Sequence, residues 1–202
     1  MSVKIAKVTV VFKEPVLGTI GGNKEIYSKY ILSKAPPAKE GDEPNNELET
    51  LPTLEDVTTG FHRTSDGKPF IYNYAAKGFF KAACGSLRRV PDTASAKVRA
   101  FLKIIDGTIF VRPRQMLLNL SGPLFMLERS IRVQTAQGER VALARSEAAP
   151  AETTMEFEVV NMGAVPNSVI QEWLTYGAFS GFGQWRNAEY GRFEYTWENV
   201  TG

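Results

Sequence analysis

The sequence predicts an α+β fold, and three observations predict it. The first segment is β-branched and partly alternating, two stretches carry apolar residues at helical spacing, and most of what lies between and after them is a series of strand signals punctuated by turns. Val3-Lys-Ile5-Ala-Lys7-Val8-Thr-Val10-Val-Phe12 reads as a first strand with one buried face. Gly18, Gly21 and Gly22 break it, and a short helix is expected over 24–32, where Ile26, Tyr27, Tyr30 and Ile31 recur at helical spacing.

From 35 to 59 the composition turns to Pro, Glu, Asp and Asn, with Leu48, Leu51 and Leu54 as the apolar anchors. Such a segment predicts a flexible acidic insertion that keeps itself soluble, not part of a core. Asp66-Gly67 then supplies turn chemistry between two extended pieces, 60–63 and 69–72, which predicts a β-hairpin. The main helix follows over 74–90, with Phe79, Ala83 and Leu87 on one face, Lys77, Lys81 and Arg88 on neighbouring rows, and Pro91 as its stop.

Strand signals come next at 101–105, 108–111, 130–135, 141–144 and 154–160, with turns at Asp106-Gly107 and Gly138. Asn167-Ser168 is positioned to cap a second helix bearing Val169, Ile170, Trp173 and Leu174 and ending near Gly177. Phe193-Glu-Tyr195-Thr-Trp197 alternates as a last strand. The order strand, helix, strands, helix, strand is compatible with a βαββαβ ferredoxin-like (RRM-type) sheet, although periodicity alone does not choose it over other α+β arrangements.

At 202 residues the chain buries a sizeable core as a single domain, 1–202. One cysteine, Cys84, excludes a disulfide framework, and one histidine, His62, leaves no zinc-binding pattern. No cofactor and no metal are expected. No apolar run approaches the roughly 18 residues that span a bilayer, so a soluble cytoplasmic protein without a membrane partner is expected.

The net charge of +2 conceals a partition. Residues 63–145 hold 15 Lys and Arg against 5 Asp and Glu, whereas 13–60 hold 5 against 9 and 147–202 hold 2 against 8. A basic middle between acidic flanks fits either a polyanion site or solvated helix and hairpin faces.

Two segments carry most of the functional information. Pro69-Phe-Ile-Tyr72-Asn-Tyr74-Ala-Ala-Lys77-Gly78-Phe-Phe-Lys81 is a basic helix start, and Gly177-Ala-Phe179-Ser-Gly181-Phe182-Gly183-Gln-Trp185-Arg186-Asn-Ala-Glu-Tyr190-Gly191-Arg192-Phe193 is a glycine-rich loop. Helix N-termini bind phosphate through unpaired N–H groups and the helix dipole, and glycine allows close approach, which places Lys77, Gly78 and Lys81 as candidates. Gly181, Gly183, Trp185, Arg186 and Arg192 combine backbone freedom, a stacking face and guanidinium groups, the set a single strand requires. The alternative is a glycine-rich turn whose Phe179, Phe182 and Trp185 fill a core. Arg88, Arg89, Arg112, Arg114 and Arg132 extend the basic stretch, and Arg129 lies beside it. His62 is a weak catalytic candidate as a general base, since imidazole titrates near neutrality, but beside Phe61 a structural role fits better. Cys84, between Ala83 and Gly85, reads as buried packing.

In this order the two segments resemble the RAMP superfamily, the repeat-associated RNA-binding proteins of CRISPR ribonucleoproteins, above all the backbone subunits of the effector complexes. A third stretch, Arg145 to Val160, looks like that family's charged turn, small-residue step and returning strand. The resemblance implies the ferredoxin-like core with extra strands, binding of single-stranded RNA or DNA without sequence preference, and assembly as an oligomer or nucleoprotein filament. Where backbone subunits place an aspartate used in target-RNA cleavage, this chain has its acidic insertion, which implies binding without catalysis. The chain as a whole is also similar to bacteriophage proteins, which would make it a relative of the CRISPR subunits, acting in a bacterium or a phage-infected one. Two alternatives remain at this level: an RNA-processing endoribonuclease using His62 with Lys77 or Tyr74, and a phage protein that occupies a nucleoprotein subunit's place through protein contacts.

Overall fold

The computed structural model describes residues 3–21, 59–135 and 138–200, with backbone alone over 131–135 and 138–143. The helix expected at 24–32 and all but the last residue of the acidic insertion fall outside the described residues. That last residue, Thr59, is not loop: it bridges Ser146 in a sheet.

In chain order the strands are β1 (Lys4–Phe12), β2 (Val16–Leu17), β3 (Ile20–Gly21), β4 (Thr59–Gly60), β5 (His62–Arg63), β6 (Pro69–Tyr72), β7 (Ile109–Arg112), β8 (Gln115–Asn119), β9 (Phe125–Thr135), β10 (Gly138–Ala149), β11 (Thr154–Asn161) and β12 (Phe193–Val200). The helices are α1 (Asn73–Leu87), α2 (Phe101–Thr108) and α3 (Asn167–Ser180), with 3-10 turns at Ala94–Lys97 and Arg186–Ala188.

The larger sheet contains the ferredoxin-like core. β12 pairs with β1, β1 with β11 and β11 with β7, every pair antiparallel. With α1 between β1 and β7 and α3 between β11 and β12, this is the βαββαβ arrangement, its four strands ordered 4-1-3-2. β8 continues along the same edge of β11 after the interruption at Pro113, and β6 and then β5 extend the sheet beyond β8. The second sheet is the long β9–β10 hairpin, with β2 and β4 paired to the other edge of β10 and β3 to β4. The chain crosses between the sheets at Phe61, a buried residue between β4 and β5.

Periodicity explains these elements. Ala6, Val8, Val10 and Phe12 alternate inward along β1. Ala76, Phe79, Phe80, Ala83 and Cys84 follow the three- and four-residue rhythm of one helical face, as do Val169, Ile170, Trp173, Leu174 and Gly177 of α3. These stripes meet over the inner face of the sheet, where Phe80 and Trp173 pack with ring centroids 5.8 Å apart. Cys84 is fully buried, and burial raises its thiol pKa, which fits a packing role.

Several expectations are corrected. Residues 101–105 are not a strand but the start of α2, and Asp106-Gly107 lies in its last turn. Phe101, Ile104 and Ile105 pack on the core at helical spacing, and Thr108 Oγ1 donates to the Ile104 carbonyl at 2.7 Å. A five-residue apolar run fits either period, and tertiary burial decides it. Gly138 opens β10 opposite Thr135 in the β9–β10 hairpin, β10 runs on through 145–149, and the turn expected within 145–160 falls at 150–153, ahead of the returning strand β11. β9 begins five residues earlier than expected, and β8 adds a strand that was not expected at all. Asn167 and Ser168 do not cap α3: its N-cap is Pro166, and the Asn167 side-chain oxygen accepts from Asn161 Nδ2 at 2.8 Å.

Candidate nucleic-acid interface

The residues singled out in the sequence fall into three separate settings. The first is α1. The helix starts at Asn73, so Lys77 and Gly78 lie in its second turn, past the positions where backbone N–H groups go unpaired. Lys77 Nζ donates to the Asp106 carbonyl at 3.1 Å and sits 5.2 Å from the centre of the Phe110 ring. Burial lowers its pKa, with Asp106 opposing. Lys81 pairs with the Asp106 carboxylate at 2.6 Å. Gly78 is exposed, and a Cβ built on it meets nothing within 4 Å. It is therefore not a packing glycine, and Gly78→Ala is expected to raise stability by about 0.5–1 kcal/mol through helix propensity. Thermal melting checks this; a loss of stability would mean an uncounted neighbour at that position.

The second setting is the glycine-rich loop, which the fold holds against the β1–β2 connection. Gly181 ends α3 at a φ of +69°, Phe182 N–H donates to Gly191 O at 2.8 Å, and Gly191 N–H donates to Pro15 O at 2.9 Å. Phe182 enters the core between Phe12 and Phe79. Of the three aromatics proposed as core, it alone is buried: Phe179 is 74% exposed and Trp185 37%. Trp185 stacks on Tyr190 with an interplanar angle of 7° and centroids 5.2 Å apart, and the Arg129 guanidinium lies 4.1 Å from the Trp185 ring centre. Arg129 also donates to Ser146 Oγ at 3.2 Å, and burial lowers its pKa, with Tyr190 opposing. This column ties the β9–β10 hairpin to the loop, so a base stacking on Trp185 competes with partners already present. Arg192 pairs with Glu14 at 2.9 Å and Glu189 at 3.4 Å, while Arg186 makes no ion pair among the described residues. Gly183, at a φ of +84°, sits against the Leu17 carbonyl.

The third setting is the basic stretch from the end of α1 to the edge of the sheet. Arg88, Arg89, Lys97, Arg99, Lys103 and Arg112 are all exposed, and none makes an ion pair among the described residues. Arg88 lies over the Phe101 ring at 5.0 Å. The segment is held by Glu172 of α3, whose carboxylate accepts from Ala94 N–H at 2.8 Å, from Ser95 N–H at 2.9 Å and from Ser95 Oγ. Ser95 in turn accepts from the buried Trp173 indole at 2.9 Å. Lys97 and Arg99 line a groove of about 510 Å³ between Ile104 and the start of α3. Lys97, Arg99 and Lys103 were not singled out in the sequence, although five cations against Asp92 alone over 88–103 would have marked them.

Arg112 and Arg114 line a second groove, of about 620 Å³, on the outward face of the larger sheet together with Lys7, Pro113, Glu156, Phe157 and Glu158. Arg114 lies over the Tyr72 ring at 5.5 Å, next to the stacked Tyr72–Tyr74 pair. The backbone of Arg132 pairs with Val141 in the hairpin, and its side chain is outside the description. His62 is 2% exposed, stacked on Phe70 and edge-on to Tyr72, so it is closed off from any substrate and acts in packing. No group of three or more His, Cys, Asp or Glu able to hold a metal occurs among the described residues, and no helix there is long and apolar enough to cross a membrane.

No protein-family model matches the chain, and no curated protein matches it. Among solved structures, a chain from the cryo-EM structure of the Type III-B Cmr-beta bound to cognate target RNA superimposes over 99% of this chain, with a TM-score of 0.54 and 12% identity. This chain spans 61% of the length of that one. The two chains thus share a fold, while the side chains at this chain's surface are its own.

Proposed function

We propose that this protein is a non-catalytic single-stranded nucleic-acid-binding subunit, with RNA as its ligand, that assembles in a nucleoprotein complex. The observation that carries this reading is the run of exposed cations, Arg88, Arg89, Lys97, Arg99, Lys103 and Arg112, with no carboxylate spent on them among the described residues. Exposed cations with no carboxylate partner keep their charge available, and a polyanion is the ligand that neutralises it. Arg114 and Arg186 extend the phosphate track. Lys77, Lys81 and Arg192 already neutralise protein oxygens and contribute less, and Gly181, Gly183 and Trp185 shape the loop that flanks the strand. Burial of His62 argues against the endoribonuclease alternative. The fold shared with a chain of an RNA-bound complex supports RNA over DNA and assembly over a solitary role.

Titrating the protein with labelled single-stranded RNA at several salt concentrations tests the proposal. With four to six phosphates neutralised, log affinity falls against log salt with a slope of roughly −3 to −4, from about −0.7 per contact. A flat dependence would sink the polyanion reading. Intact RNA on a denaturing gel after long incubation separates binding from cleavage.

A further inference from the structure

The groove of Lys7, Arg112, Pro113, Arg114, Glu156 and Glu158 differs from the rest of the basic surface because it holds carboxylates among its cations. It crosses β1, β11 and β7 on the outward face of the sheet, the face that RRM-type domains offer to single strands. Stacking aromatics do that work in such domains, but here the central strands present Lys7, Thr9 and Val11 on β1 and Glu156 and Glu158 on β11. Glu156 is engaged by Lys7 at 3.0 Å. Arg112 and Glu158 are direct cross-strand partners, yet neither makes an ion pair among the described residues. A cation and a carboxylate thus stand side by side with their hydrogen-bonding capacity unspent.

A simple anion is repelled by Glu158, and a guanidinium or ammonium group is repelled by Lys7 and Arg112. The ligand that satisfies both carries an anionic group at one end and neutral N–H donors at the other, within reach of two long side chains that splay apart. A nucleotide is such a ligand. Among the four bases, guanine alone presents two adjacent N–H donors on its Watson–Crick edge, which match the two oxygens of one carboxylate. Adenine, cytosine and uracil each set an acceptor lone pair beside their donor, and that lone pair faces a carboxylate oxygen unfavourably. The groove's volume of about 620 Å³ is that of a small-ligand site.

We propose that this groove holds one guanine nucleotide of the bound strand, its phosphate on Arg112 and its base edge on the Glu158 carboxylate. The inference rests on the reading of the protein as a single-strand binder and adds a base preference at one position. Binding of guanosine, adenosine, cytidine and uridine monophosphates by calorimetry, alongside labelled homopolymer strands, tests it. Guanosine monophosphate is expected to bind about tenfold or more tightly than the other three, the discrimination a good bidentate contact gives. Glu158→Gln, which keeps the shape but exchanges one acceptor for a donor, should abolish the guanine preference, because a carboxamide complements the donor–acceptor edges of the other three bases, and Arg112→Ala should weaken all four alike. Glu156→Gln, whose carboxylate is already spent on Lys7, should leave the preference in place. Equal binding of the four nucleotides, or a guanine preference that survives Glu158→Gln, overturns the inference. If strands bind tightly but without base preference, this inference fails while the proposed function stands; if neither strands nor nucleotides bind, both fail.

Discussion

Replacing Arg88, Arg89, Lys97, Arg99 and Lys103 together with Gln is expected to weaken single-stranded RNA binding by roughly a thousandfold at about 0.1 M salt. Each phosphate contact contributes about 0.7 to the slope of log affinity against log salt, so five contacts add about 3.5 log units at a concentration tenfold below 1 M. All five side chains are exposed and none is committed to an ion pair among the described residues, so the fold loses only the contact of Arg88 with Phe101. The melting temperature should therefore hold while affinity collapses and the salt slope flattens. Lys77→Ala with Lys81→Ala is the contrast: both lysines serve Asp106, and their loss should change affinity far less. A fall of less than tenfold in the five-residue variant, with the slope intact, would move the interface elsewhere on the molecule.

The proposed interface is only half visible in the sequence, and the reason is physical. α1 is legible because Ala76, Phe79, Phe80, Ala83 and Cys84 keep one rhythm over more than two turns. Arg88 and Arg89 follow directly from it. Lys97 and Arg99 sit in a 3-10 turn and its exit, where no periodicity exists to place them on a face, and Lys103 lies in the short apolar run 101–105, which fits a strand as well as the helix it forms. What orders this segment is the Glu172 carboxylate, 77 and 78 residues away in sequence, a contact that no local pattern announces.

The extra strands failed for a related reason. In β8, Met116, Leu117 and Leu118 are all apolar, but Leu117 is 40% exposed while the other two are buried. An exposed leucine between two buried residues erases the alternation that marks a strand. β9 opens with Phe125 and Met126, both exposed, which hides the start of the hairpin in the same way. By contrast β1, β11 and β12 were legible because polar outward residues alternate with their apolar inward ones. The ferredoxin-like order itself came from the family resemblance, since strand pairing over more than a hundred residues leaves no trace in periodicity.

The late loop was legible as a glycine-rich feature but not as a clasp, and Gly191→Ala should expose the difference with a stability loss of about 3 kcal/mol or more. Gly191 holds a φ of +72°, a conformation that costs any other residue about 1–3 kcal/mol. A Cβ there also runs into the carbonyl oxygen of Phe182, a backbone atom that cannot rotate away, and relieving such overlap costs about 1–3 kcal/mol more. Phe182 would have to shift out of its contacts with Phe12, Phe79 and Phe193, so the strain reaches the core. For a domain near this size each kcal/mol lowers Tm by about 2–4 °C, giving a fall of roughly 10 °C. The glycines of the two resembled segments thus have opposite meanings: Gly78 faces open space and tolerates a methyl group, whereas Gly191 is required by the fold. A Gly191→Ala protein that melts like the parent but binds single strands poorly would reverse that assignment and make the loop a surface shaped for its ligand.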